Sequence, residues 1–218
     1  MSRAAKDRFG RLTAVYRLLE RLWMGDGLEQ MRLCFLEKPE LQRARKILIL
    51  GEGDGRFLKA AMGRLPNARF TVVDMSEKML ERARTRLNGD ELRRVEFVCA
   101  DALQWTFERD LVDGLVLHCF LDCFDAETLK AHLPRWLATV VPGGWVWIGD
   151  FVEPSGLGLR WLRLRVLYGF FGFITGIQAR RVYDVAHIMR ESGFGQVVRE
   201  SVARGVCAST LYKSSTKD

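Results

Sequence analysis

The chain has 218 residues, enough for one well-buried domain with little left for a second. Hydrophobic residues make up 48% and charged residues 28%, proportions ordinary for a soluble globular protein. The formal charge of +7 admits nucleic acid, anionic lipid or an acidic substrate as partner, but no segment joins a basic run to the aromatic spacing of a nucleic-acid module, so no nucleic-acid partner is expected.

The first residues are polar and basic (Ser2, Arg3, Lys6, Arg8) with no apolar run behind them, so no secretory signal is read. Residues 3–24 carry Leu12, Val15, Leu18, Leu19 and Leu22 at helical spacing. Gly25-Asp26-Gly27 breaks that helix, and a second is expected from about Leu28 to Leu36, stopped by Pro39. Together these make an N-terminal helical cap over 1–44. Strand and helix patterns then alternate: strand 46–50, helix 56–63, strand 69–73, helix 77–88, strand 94–99, strand 112–118, helix 126–140 and strand 144–150. Ser76 and Asp125 are suited to cap helix N-termini. Such alternation predicts a mainly parallel sheet covered by helices on both faces.

After Pro154 the pattern changes. Leu157 to Ile177 is apolar almost all round a helix, with Arg160, Arg163 and Arg165 at its edges, and is too short to span a bilayer. A helix over 184–191 ends at Gly193, and two strands, 196–203 and 206–212, form a hairpin about Gly205. The five cysteines are odd in number and mostly in apolar surroundings, which favours reduced thiols in a cytoplasmic protein.

The most informative stretch is Ile47-Leu48-Ile49-Leu50-Gly51-Glu52-Gly53-Asp54-Gly55. A buried-strand signal runs into three glycines, which let the backbone turn and approach a ligand, before a helix N-terminus suited to anionic groups. The next strand ends at Asp74, where an acid accepts hydrogen bonds from ribose hydroxyls in nucleotide-binding units. The dinucleotide fingerprint fails, because its last glycine position falls on Arg56. A third strand is followed by Ala100-Asp101-Ala102. Ligands in such sheets bind beyond the carboxyl ends of the strands, which directs attention also to His118–Asp122 and Asp150–Glu153.

The order Gly-x-Gly-x-Gly, strand-Asp, strand-x-Asp-Ala resembles the class I S-adenosylmethionine-dependent methyltransferases over residues 45–150. The resemblance implies a single α/β domain over 1–218, a Rossmann-like seven-stranded sheet whose last strand is antiparallel. Within it, 45–153 is the cofactor-binding core, 154–181 an apolar lid-like insertion and 182–218 a C-terminal helix and β-hairpin. It also implies that Gly51, Gly53 and Gly55 pass the methionine part of S-adenosylmethionine and that Asp74 holds the ribose. Met75 would pack on the adenine, Asp101 accept from its amino group and the Ala102 amide address a ring nitrogen. The family's acid two residues before the first glycine is here Ile49, and Glu52 inside the loop could face the cofactor's amino or sulfonium group instead.

Methyl transfer is an in-line displacement that needs the nucleophile held roughly 3 Å from the methyl carbon, so catalysis can be largely positional. His118, closing the fourth strand, is the candidate general base and cofactor neighbour. His118, Cys119 and Cys123 lack a metal-site spacing and a fourth ligand, so no metal is expected. Neither cysteine follows a proline, as covalent cytosine methylation would want, and the Asp/Asn-Pro-Pro-aromatic signature of amino-directed nucleic-acid enzymes is absent.

Tyr16, Trp161, Tyr168, Phe171 and Arg180 are the candidate substrate contacts, with the apolar insertion, Leu164 included, as the pocket roof and its arginines at a rim that could meet a lipid surface. The function expected is methylation of a small molecule with an apolar or aromatic body, loosely as in quinone biosynthesis. The alternatives are an RNA or protein methyltransferase and a non-catalytic cofactor-binding module. The acceptor atom and the oligomeric state stay open.

Overall fold

Lys46–Leu50 (β1) and Val112–His118 (β4) carry the apolar runs Ile47–Leu50 and Leu115–Leu117 because both of their faces are covered there, as parallel strands in the middle of a sheet require. A computed structural model describes residues 26–106, 111–152, 183–202 and 205–215. The expected helix over 3–24, the insertion over 154–181, and Tyr16, Trp161, Leu164, Tyr168, Phe171 and Arg180 lie outside the described residues.

The helices in chain order are Gly27–Leu33 (α1), Pro39–Gln42 (α2), Arg56–Arg64 (α3), Glu77–Thr85 (α4), Gly89–Leu92 (α5), Ala126–Leu137 (α6) and Ala186–Glu191 (α7). The remaining strands are Arg69–Asp74 (β2), Val95–Cys99 (β3), Val140–Phe151 (β5), Phe194–Val202 (β6) and Cys207–Ser214 (β7). They form one seven-stranded sheet in the order β3-β2-β1-β4-β5-β7-β6. β1 pairs in parallel with β2 and β4, β2 with β3, and β4 with β5. β7 enters between β5 and β6 and is antiparallel to both. The order reverses between β1 and β4, and their carboxyl ends open a crevice there.

Alternate residues divide the core into two layers. Ile47, Ile49, Val116, Trp145 and Trp147 pack with Phe57 and Leu58 of α3 and with Phe35 and Leu36 of the cap. Leu48, Leu50, Leu115, Leu117, Val146 and Ile148 pack on the other face with Leu129, Leu133 and Trp136 of α6 and Ile188 and Met189 of α7. Each large side chain buried this way contributes about 1.5–3 kcal/mol. α1 is tied down as well as buried: Ser209 Oγ on β7 donates to the Met31 carbonyl at 2.9 Å and accepts from the Trp147 indole.

Four local features depart from expectation. The helix expected over 77–88 ends at Thr85, and Asn88 and Glu91 then form a capping box that starts α5. Pro39, expected as a stop, is the first residue of α2, where its missing N–H costs no hydrogen bond. β5 begins at Val140, ahead of its glycines, and its pairing with β4 shifts register between Val112 and Gly114. A Cβ on Gly114 would lie 2.1 Å from the Trp145 ring, so the strand needs glycine there. Asp125 caps α6 by accepting from Thr128 N–H at 2.8 Å, whereas the Ser76 side chain makes no cap bond.

Candidate active site

The three glycines of the β1–α3 loop all have positive φ: 72° at Gly51, 70° at Gly53 and 83° at Gly55. They do different things. A Cβ on Gly51 would meet Phe120 Cδ2 at 2.6 Å, so an aromatic ring from beyond β4 lies directly on the loop. A Cβ on Gly53 would meet nothing within 4 Å among the described residues, which leaves that side open to a ligand. Gly55 closes the loop against α4, where a Cβ would stand 2.5 Å from the Ala83 Cα, so helix packing already requires glycine there.

Glu52 has a structural partner within the protein. Its Oε1 accepts from Leu58 N–H at 2.9 Å, one of the free donors at the start of α3. Burial pushes its carboxyl up to about 8, against the pull of that N–H and of nearby Arg32. Asp54 is likewise committed within the protein, to Arg56 at 3.1 Å and Arg86 at 3.0 Å.

Asp74, ending β2, accepts from Gly53 N–H at 3.1 Å through Oδ2 and from Ser76 N–H at 2.9 Å through Oδ1. Burial raises its carboxyl above the usual range, and those two N–H groups hold it back. Met75 follows, half-buried. Asp101 turns the chain after β3, its Oδ1 accepting from Leu103 N–H at 3.0 Å. The neighbouring Ala102 carbonyl takes the Trp136 indole N–H at 3.2 Å. Trp136, Phe120 and Phe124 stack with centroids 5.1–5.6 Å apart, an aromatic wall running from Gly51 to Ala102.

The end of β4 holds the least ordinary geometry. His118 is 7% exposed, its ring edge-on to Phe57 (4.7 Å) and Trp147 (4.6 Å), and neither ring nitrogen has a hydrogen-bond partner among the described residues. Burial, and secondarily the Arg32 charge, drive its pKa well below the ordinary value. Folding therefore opposes its protonation, and the unfolded chain binds the proton first. Stability should fall as pH drops below about 6.5, with a slope approaching 1.4 kcal/mol per pH unit. His118→Leu should lack that component, as seen by comparing denaturation of the two proteins from pH 7 to pH 5.

Cys119 follows with φ 48°, the one non-glycine in the left-handed region among the described residues. Such strain clusters at functional sites. Its N–H donates to the Gly149 carbonyl at 2.7 Å, and its Sγ accepts from Arg32 of α1 at 3.8 Å. Burial pushes its thiol up to about 12, so it is no nucleophile near neutral pH. Asp122, in the 3-10 turn Leu121–Cys123, and Asp150, 8% exposed near the end of β5, meet there: Asp122 N–H donates to Asp150 Oδ2 at 3.1 Å. Burial raises Asp122 to about 6. Burial and the Asp122 charge raise Asp150 well above its ordinary value. Sequence reading reached both stretches but gave neither carboxylate a role. Among the described residues no group of three or more His, Cys, Asp and Glu is arranged to hold a metal ion.

Residues 47–144 match the methyltransferase domain family. Over 217 aligned residues the chain is 24% identical to a ubiquinone/menaquinone biosynthesis C-methyltransferase of Paracoccus denitrificans, covering 92% of this chain and 86% of that protein. Among solved structures, an O-methyltransferase family protein from Burkholderia thailandensis superposes with TM-score 0.71 at 20% identity over 95% of this chain and 63% of its own length. N-methyltransferase NodS from Bradyrhizobium japonicum, in complex with S-adenosyl-L-homocysteine, gives 0.63 at 18% identity over 91% of this chain and 97% of its own. Residues 47–144 thus match a methyltransferase domain, and the similar proteins are methyltransferases, one of them holding S-adenosyl-L-homocysteine, the demethylated form of S-adenosylmethionine.

The loop fits that cofactor's chemistry. Each Asp74 oxygen takes one backbone N–H and keeps an acceptor position, which suits donating hydroxyls, and Gly53 presents an open face beside it. No helix among the described residues is long and apolar enough to cross a membrane.

Proposed function

We propose that this enzyme methylates a small molecule with an apolar or aromatic body, and that Asp122, set by Asp150, receives the proton that the acceptor loses. The observation that carries the proposal is the pair of carboxyl groups at the carboxyl ends of β4 and β5, Asp150 buried and Asp122 half-buried, beside the crevice where the strand order reverses. S-adenosylmethionine supplies a methyl group made electrophilic by its sulfonium. Gly53 and Asp74 hold the cofactor by its polar groups, and Phe120 keeps water from the loop beside them. Asp122, raised to about 6, is ionised near neutral pH and still basic enough to accept a proton from a phenol or enol. The quinone-pathway relative and the aromatic wall both favour such an acceptor.

His118 is the weaker base. Its pKa is driven well below 6.5 and it faces Phe57 and Trp147, which makes it a wall of the site in this reading. Asp122→Asn should lower turnover by about 10²- to 10⁴-fold with little change in cofactor affinity. The base must be ionised, so the wild-type rate should rise with pH through about 6, and the variant should lose that limb. The assay follows label transfer from S-adenosylmethionine to alkylated phenols and hydroquinones, to bulk RNA and to unrelated protein. Preferential methylation of RNA or protein would overturn the small-molecule reading. Cofactor binding without transfer to any of them would favour the non-catalytic alternative. A variant that keeps the acid limb would remove Asp122 from the mechanism.

A further inference from the structure

Asp54 stands between Gly53, the open glycine of the β1–α3 loop, and Gly55, the one packed on α4. Arg86, the C-cap of α4, grips it at two points: Nε donates to the Asp54 carbonyl at 2.6 Å and Nη2 to its Oδ2 at 3.0 Å. One planar guanidinium thus fixes both the backbone and the side chain of a single loop residue. The Asp54 side chain is 9% exposed and that of Arg86 33%, so water screens this pair less than an ordinary surface pair. Arg56 also meets Asp54, at 3.1 Å, but it belongs to the helix that the loop itself runs into and ties the loop to no other element.

α4 has a second hold on the site at its other end. Ser76, its N-cap, donates its N–H to Asp74 Oδ1 at 2.9 Å, and Asp74 Oδ2 accepts from Gly53 N–H at 3.1 Å. These contacts close a ring: Asp74 to Ser76, along α4 to Arg86, across to Asp54, and through Gly53 back to Asp74. Gly51, Gly53 and Gly55 all hold positive φ inside or beside that ring, and glycine has the most backbone freedom to lose on ordering. A loop left free until its ligand arrives would bind more weakly, in proportion to the fraction of molecules already in the competent shape.

We propose that Arg86 is a positioning residue for S-adenosylmethionine: acting through Asp54, it holds the glycine loop in its binding shape in the free protein. The identity of the ligand rests on the methyltransferase reading of the site, whereas the ordering of the loop does not. Arg86 needs no contact with the ligand, so it acts equally on S-adenosylmethionine and on S-adenosyl-L-homocysteine, which lacks only the transferred methyl and its charge.

Amide hydrogen exchange in the free protein, followed by NMR on wild type and Arg86→Gln, reads the loop directly. The Gly53 amide, which closes the ring on Asp74, should exchange about tenfold faster in the variant, while the Ile49 and Val72 amides of β1 and β2 accelerate far less. Calorimetry should show both ligands weakened by the same factor, about tenfold, the size of one charge-assisted hydrogen bond. Arg86→Lys keeps the charge but lacks the planar fork, so it should fall between the two in exchange and in affinity. It also replaces the glutamine variant should that fail to fold. The proposal is overturned if Gly53 exchange is unchanged, or if the β1 and β2 amides accelerate by the same factor, which would make the role purely one of stability. A loop that exchanges faster with neither affinity altered would overturn it too. Wild-type protein that binds neither ligand would instead sink the methyltransferase reading, with the Gly53 exchange rate still deciding whether Arg86 orders the loop.

Discussion

Asp74→Ala is expected to weaken S-adenosylmethionine binding by at least tenfold, the largest single loss in the cofactor site. Hydrogen bonds to a charged group contribute about 1.5–3 kcal/mol each, and a factor of ten in affinity is about 1.4 kcal/mol. The carboxylate also accepts from Gly53 and Ser76, so alanine would release the open glycine of the loop as well as the ligand's hydroxyls. Asp74→Asn separates these effects. It can keep one acceptor for the backbone while surrendering the charge, and should fall between wild type and alanine. Calorimetry on the three proteins measures the series, and equal affinity in wild type and Asp74→Ala would remove Asp74 from the site.

Gly55→Ala is expected to be the most damaging small substitution in the loop for stability. At φ 83° an L side chain costs about 1–2 kcal/mol in the left-handed region. The new methyl would stand 2.5 Å from the Ala83 Cα and 2.7 Å from its Cβ, contacts that only a shift of α3 against α4 can relieve. Overpacking of that kind typically costs a further 1–3 kcal/mol, giving about 3 kcal/mol in total. Gly53→Ala is the control, with a similar φ of 70° and no neighbour within 4 Å among the described residues. It should lose only the backbone part. Urea denaturation of both variants checks the difference, and equal midpoints would show that the Ala83 contact relaxes without cost.

The strands were legible in the sequence because parallel strands covered on both faces carry unbroken apolar runs, such as Ile47–Leu50 and Leu115–Leu117. The hairpin was legible too, with β7 antiparallel between β5 and β6 as the family resemblance implied. The start of α5 was missed although its signal is local: Asn88 and Glu91 stand three apart as a capping box does, at the end of the stretch that reads as a helix to 88. Glu52 could not be placed, because it caps α3 from within a loop six residues earlier and no local pattern announces that bond. Asp122 and Asp150 are 28 residues apart, and only the pairing of β4 with β5 brings them together. His118 was correctly put at the end of β4, but strand periodicity did not reveal that its ring would lie between Phe57 and Trp147 without a polar partner among the described residues.

The insertion of β7 between β5 and β6 also bears on how the chain reaches its native state. During synthesis β1 to β5 emerge in an order that lets each find a partner among strands already made. The outer edge of β5 must wait for residues 207–214, while β6, made earlier, has no neighbour but β7. That edge carries Trp145-Val146-Trp147-Ile148, an uncharged β-prone run of the kind that joins other chains when left open. Nascent or truncated chains lacking β7 thus present an adhesive edge, and closure by β7 is the step that makes the sheet safe from self-association.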